Sequence, residues 1–172
     1  MKTTRTRRLL LAVPATALAL TTLVGCGDIL KDQVEKKVED AAKSEGVDLD
    51  VDLDSGDVKV DTTDGGAVTG ELPKDYPSDE APVVDGEILA GTYTKNPASW
   101  NVTIEVGPAG GDKQGAYDEA AAKLLDGGAS EGTAPVDNGT SISGTYLSAS
   151  YTIVLAVTDS NGIVVNYTVS PK

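Results

Sequence analysis

The chain has 172 residues, with 14 Lys+Arg against 27 Asp+Glu, a formal charge of −13, no His, no Phe and one Cys. The length fits one domain of ordinary size, and the acidity argues against nucleic acid as a partner, because phosphate contacts need clustered Lys or Arg. One Cys excludes an intramolecular disulfide framework and a Cys-rich zinc site, and the lack of His removes the commonest general base and transition-metal ligand.

Met1 to Arg8 carries Lys2, Arg5, Arg7 and Arg8 and no acid, and Leu9 to Leu23 is apolar or small apart from three Thr. This is a basic region followed by an apolar core of secretory-signal length. It is shorter than the ~20 residues a membrane-spanning helix needs, and Pro14 interrupts it. The run ends in Leu23-Val24-Gly25-Cys26. The tetrad resembles a bacterial lipobox, and the only cysteine is the one such a motif requires. The resemblance implies a signal peptide over residues 1–25, cleavage between Gly25 and Cys26, and a diacylglycerol on the Cys26 sulfur. The competing reading is a free Cys near an ordinary cleavage site. Two palmitate-type acyl chains hold a protein at a membrane stably where one does not. Thr6-Arg7-Arg8-Leu9-Leu10-Leu11 also has the look of a twin-arginine export signal, and the general secretory route is favoured over it. No other cofactor is expected.

Removing the signal leaves 10 basic and 27 acidic side chains, net −17, with neither Arg nor His. Of this, −12 falls in residues 27–85 and −5 in residues 86–172. Residues 26–61 read as a lipidated Cys followed by an acidic stalk. Asp28 to Glu45 has apolar residues at Leu30, Val34, Val38 and Ala42, with Asp28 as a candidate N-cap and Gly46 as a candidate stop, so a helix is expected. Asp48 to Asp61 alternates apolar and acidic residues on either side of Ser55-Gly56 and predicts a hairpin. A two-residue loop at Ser55-Gly56 pairs Leu53 with Val58, Val51 with Val60, Asp52 with Lys59 and Asp50 with Asp61. Asp50, Asp52, Asp54 and Asp61 fall at EF-hand spacings and define an alternative calcium site. Ser55 stands where that loop wants Gly, however, and strand alternation spreads these acids along a face, so a solvated acidic face is the favoured reading.

Residues 62–82 hold Gly65, Gly66, Gly70, Pro73, Pro77 and Pro82 and read as a Gly/Pro-rich linker or irregular segment, in which Leu72 to Pro77 could be ordered by laying Leu72 and Tyr76 on the domain edge. Residues 83–172 predict a C-terminal α+β domain: a small antiparallel sheet with one helix across a face, in the order β-β-α-β-β-β. Gly86 to Thr94 and Trp100 to Val106 have strand signals, and Ser141 to Ser170 holds two or three strands. Asp112 to Asp126 is helical, with Tyr117, Ala120, Ala121, Leu124 and Leu125 inward and Gly127 as its cap. In the last hairpin, a three-residue loop at Ser160-Asn161-Gly162 pairs Ile153 with Val169, Leu155 with Tyr167 and Val157 with Val165, with Gly162 in a left-handed bulge conformation.

Catalytic signatures are sparse. A Ser-His-Asp triad is impossible without His. The Val106 to Lys113 loop lacks Gly-Lys-Ser/Thr and reads as a connection with Asp112 capping the helix. Glu87, Glu105 or Glu131 could serve a carboxylate-based hydrolase, the weakest of the three functional readings. Tyr93, Trp100, Tyr146, Tyr151 and Tyr167 read as packing before they read as a binding face. The lipobox, the acidic segment, Leu72-Pro73-Lys74-Asp75-Tyr76-Pro77, Val83-Val84-Asp85-Gly86 and Asn166-Tyr167-Thr168-Val169-Ser170 together resemble uncharacterised actinobacterial envelope lipoproteins. That resemblance implies an extracytoplasmic lipoprotein and supplies no catalytic residue. The expected function is a non-enzymatic binding or structural module of the cell envelope. Its expected contacts are the membrane, through the lipid, and an envelope protein or wall polymer. A calcium-responsive module is the alternative.

Overall fold

The structure is a computed structural model and describes residues 28–44, 47–52 and 56–172. Helix α1 (Asp28–Ser44) leads into β1 (Asp48–Val51), β2 (Val58–Asp61), β3 (Gly65–Val68), β4 (Glu87–Lys95) and β5 (Ala98–Pro108). Helix α2 (Lys113–Asp126) follows, and then β6 (Ser130–Asp137), β7 (Ser141–Leu147), β8 (Tyr151–Asp159) and β9 (Gly162–Pro171). All nine strands form one sheet in the order β1-β2-β3-β4-β5-β9-β8-β7-β6, and every neighbouring pair is antiparallel. After β5 the chain crosses the sheet through α2 to the far edge and returns strand by strand, so the last strand fills the centre.

This overturns the expected small α+β sheet with a separate stalk. The acidic hairpin β1–β2 is the edge of the same sheet, joined to it through β3, which lies in the stretch expected as linker. The strand after α2 also went unpredicted. All eight residues of β6 are exposed, so it has no buried face and therefore no apolar alternation to read. Its ladder to β7 holds it, along with Lys113 at the start of α2, whose Nζ donates to Asp137 Oδ1 at 2.9 Å and to the Gly139 carbonyl at 2.8 Å. Register breaks along β6 and Pro135 blunt this edge against pairing with other chains.

One face of the sheet, here the inner face, carries the core. Val102 and Ile104 of β5, Ile142 and Tyr146 of β7, Ile153, Leu155 and Val157 of β8, and Val165, Tyr167 and Val169 of β9 are buried there at the two-residue spacing of a strand. Two covers close it. Helix α2 lays Tyr117, Ala120 and Leu124 on β6–β9, while Leu125 stays 48% exposed. The second cover is a strap, residues 69–86, which buries Ala81 and Val84 in the same cluster and packs Leu72, Tyr76 and Val83 against it. The proline-rich composition that reads as linker thus serves an irregular segment pinned to the sheet. The Val84 N–H donates to the Tyr167 hydroxyl at 3.1 Å, and the Trp100 indole donates to the Lys74 carbonyl at 3.0 Å. Six of the seven aromatic residues belong to this cluster or pack against it, which places Trp100, Tyr146, Tyr151 and Tyr167 as packing, while Tyr93 is buried outside the cluster.

Asp112 caps α2, accepting from the Gly115 N–H at 2.8 Å. The other end closes with two crossed bonds, Ala129 N–H to the Leu124 carbonyl and Gly128 N–H to the Leu125 carbonyl, both 3.0 Å. This is a Schellman motif, and its left-handed residue is Gly128 (φ +88°), with Gly127 at φ −73°. The β8–β9 register is the expected one: Ile153↔Val169, Leu155↔Tyr167, Val157↔Val165. Gly162 does not take the left-handed conformation expected of it. It pairs with Pro108, where an added Cβ would come within 3.0 Å of Glu105 Oε1 and 3.2 Å of the Gly107 carbonyl, a tight fit for any larger residue. In the first hairpin the register is displaced by two residues, with Val51 opposite Val58 and Leu49 opposite Val60. An even displacement keeps the same residues on each face, so the alternation cannot distinguish the two registers.

The strap has an acid-sensitive clasp. Glu80 accepts from the Ser150 N–H and the Ser148 hydroxyl, each at 2.8 Å, and these bonds hold its pKa below the ordinary carboxylate value, the Ser150 N–H contributing most. A carboxylate whose folded pKa is depressed contributes stability above its unfolded pKa, and that stability is lost as pH falls through the folded one. Glu80→Gln should therefore narrow the gap between melting temperatures measured at pH 3 and pH 7. An unchanged gap would contradict the clasp.

Candidate functional site

Strand alternation places Asp48 and Asp50 of β1 and Lys59 and Asp61 of β2 on one face, beyond the part of the sheet that α2 covers. The strap enters beside them. Glu71 Oε1 lies 3.2 Å from Lys59 Nζ, which holds the Lys59 pKa above its ordinary value. Pro73 lies against Gly91 of β4. Tyr93 of β4 donates its hydroxyl to Asp61 Oδ1, and this bond, with burial, pushes the phenol up to about 12. Lys95 Nζ sits 5.9 Å from the Tyr93 ring centroid and donates to the Thr62 carbonyl at 2.9 Å.

Three clefts meet at Lys59. One of about 370 Å³ is lined by Asp50, Asp52, Asp57 and Glu71 with Val58, Val68, Thr69 and Gly70. One of about 490 Å³ runs under the strap, lined by Asp61, Leu72, Lys74, Asp75, Tyr76 and Tyr93 among others. The third, of about 370 Å³, lies between α1 and the hairpin, with Glu39, Lys43, Asp48, Asp50 and Asp61 on its walls. Together they form an acidic trough with eight carboxylates and three lysines. Clefts lined by one sign of charge focus the field and concentrate counter-ions. Tyr76 lines the middle cleft. Its hydroxyl is buried, and burial pushes its pKa up. Among the described residues it is the buried side-chain polar group without a hydrogen-bond partner.

The residues expected to carry function fall as follows. Gly25 and Cys26 of the lipobox, and Asp54 of the calcium alternative, lie outside the described residues. Asp50 faces Lys59 across the ladder, where the expected register set it against Asp61, and it is Asp48 that opposes Asp61. Asp61 is engaged by Tyr93. Among the described residues no three His, Cys, Asp or Glu side chains are grouped so as to hold a metal ion. Glu87 and Glu105 are cross-strand neighbours at the margin of the outer face, and Glu131 is exposed on β6. None of the three lines the trough. Asp112 serves as a helix cap. Sequence reasoning missed Glu71 and the strap as parts of a site and read Tyr93 as packing before a binding face. The available signal was Lys59, the single cation of the acidic segment 48–61.

Among the described residues no helix is long and apolar enough to cross a membrane. No family model, curated protein or solved structure matches the chain.

Proposed function

We propose that this chain is a lipid-anchored, extracytoplasmic binding module of the cell envelope, without catalytic activity of its own. The observation that carries the reading is Leu23-Val24-Gly25-Cys26, placed at the end of a basic and then apolar leader and holding the only cysteine. Acylation of Cys26 supplies the two-chain anchor that stable membrane residence requires. The strong negative charge of the mature chain repels anionic headgroups and keeps the folded body in the aqueous phase. The acidic trough supports a binding role. It offers carboxylates along its walls, a setting for a cationic segment of an envelope protein or a cationic wall polymer.

Cells fed an alkyne-tagged palmitate and expressing the wild type or Cys26→Ser test the anchor. The wild type is expected to take up label and to sediment with membranes. The variant is expected to lose the label and leave the membrane fraction. Equal labelling and retention of the variant would overturn the anchor, and turnover of an envelope substrate by the purified chain would overturn the non-enzymatic reading.

A further inference from the structure

The outer face of the sheet is left open. Helix α2 and the strap both lie on the inner face, α1 packs beside β1, and no described element crosses β4–β9 on the outer side. Rows of side chains run straight across it. One row is Thr92, Asn101, Thr168, Val154, Thr145 and Thr133, and the next is Ala90, Thr103, Asn166, Ala156, Ser143 and Val136. Sheet faces in water ordinarily carry Lys and Glu. In a chain with 27 acids, these two rows hold no ionisable group, and Glu87 and Glu105 stand only at the margin. Three of the exposed large hydrophobic residues belong to the same face: Val136 (62% exposed), Leu147 (36%) and Val154 (42%).

The polar groups at its centre are paired with one another. Asn101 Nδ2 donates to Asn166 Oδ1 at 3.0 Å and to Thr168 Oγ1 at 2.9 Å. Asn166 Nδ2 returns bonds to Asn101 Oδ1 at 3.1 Å and to Thr103 Oγ1 at 2.9 Å. Both amides thus use both their hydrogens within the face. Covering these two amides strands no amide donor, so they add little to the penalty for burying polar surface.

We infer that this face is where a second copy of the chain docks, sheet against sheet. Charge selects that occupant. Two copies of so acidic a chain repel each other overall, and through the two central rows of this face neutral side chains meet neutral side chains about a two-fold axis. The size also fits. At ~4.8 Å between strands and ~3.3 Å per residue, β4–β9 present about 25 Å by 30 Å, on the order of 750 Å², with the Glu87–Glu105 pair taking up one corner of it. A standard stable interface takes about 800 Å² from each partner. Aligned stacking of two twisted sheets is the ordinary geometry of a β-sandwich. The chemistry is wrong for other ligands. No aromatic ring lies on this face for a sugar to stack on, and no charge lies within it for an ion or a phosphate.

Sedimentation velocity and light scattering on the full chain in detergent, with the detergent mass subtracted, test the inference. The wild type is expected to run at twice the mass of one chain, and so is Cys26→Ser, because the contact does not depend on the lipid. Val154→Glu, which sets like charges against each other across the contact, is expected to restore the single-chain mass with an unchanged circular dichroism spectrum. Leu125→Glu, on the exposed side of α2, controls for added charge and is expected to stay dimeric. A wild type that is monomeric at every concentration up to the millimolar range would overturn the inference. So would a dimer indifferent to Val154→Glu, or a monomer that captures a different protein through this face.

Discussion

Tyr167→Ala is expected to lower the unfolding free energy by about 3–5 kcal/mol, the range for truncating a large buried aromatic residue. Tyr167 sits on the central strand β9, is fully buried, and packs in the cluster that α2 and the strap close. Its hydroxyl also accepts the buried Val84 N–H at 3.1 Å. Tyr167→Phe separates the two roles. It keeps the ring and leaves one buried amide without an acceptor, at a cost of about 1–3 kcal/mol. Burial pushes the Tyr167 phenol up, so its proton is retained across the physiological range and the ring stays neutral in the core. Urea titration of the three proteins should rank them wild type, Tyr167→Phe, Tyr167→Ala. A Phe variant as stable as the wild type would show that the hydroxyl does not anchor the strap.

Gly65→Val is expected to detach the acidic hairpin while leaving the rest folded. A Cβ at Gly65 would stand 2.2 Å from the Tyr93 carbonyl oxygen of β4, a backbone atom that no rotamer change can move. Overpacking of this kind typically costs about 1–3 kcal/mol, and here it falls on the ladder that, among the described residues, joins β1–β3 to the larger part of the sheet. The short strands β1, β2 and β3 have few buried residues to hold them once that ladder opens. Hydrogen exchange should show lost protection over residues 58–68 and retained protection in β5, β8 and β9. Loss throughout the chain would mean that the hairpin and core unfold as one unit. No loss would mean that β3 tolerates the displacement.

The same residues explain what the sequence could reveal. Val102, Ile104, Leu155, Val157 and their neighbours alternate because one face is buried and the other is not, and that pattern identified β5, β8 and β9 and the register of their closing hairpin. Tyr117, Ala120 and Leu124 recur at helical spacing between Asp112 and Gly127, so α2 was legible to within a residue. β6 was not legible, because an edge strand with no buried face leaves no periodic trace. β3 was not legible either. Gly65 and Gly66 read as linker residues, yet Gly65 lies against the backbone of β4 and Gly66 against that of β2. Without β3, the acidic hairpin had nothing to join and read as a stalk. The trough followed the same fate, since it needs β2, β4 and the strap together. Its acids were visible in the sequence, but their grouping around Lys59 depends on pairings among strands four residues long.

The outer face shows a different limit. Thr92, Asn101, Thr168 and Thr145 alternate with core residues and mark a solvent side. That its central rows are neutral emerges only when the strand order is known, because their residues come from segments scattered across the chain.

The intact mass of the protein extracted from the membranes of the organism that makes it tests the central claim most directly. The account predicts a polypeptide beginning at Cys26, heavier than its amino-acid sequence by a thioether-linked diacylglycerol, with the added mass confined to the first proteolytic fragment. A chain that begins at another residue, or one that begins at Cys26 with an unmodified thiol, would contradict it.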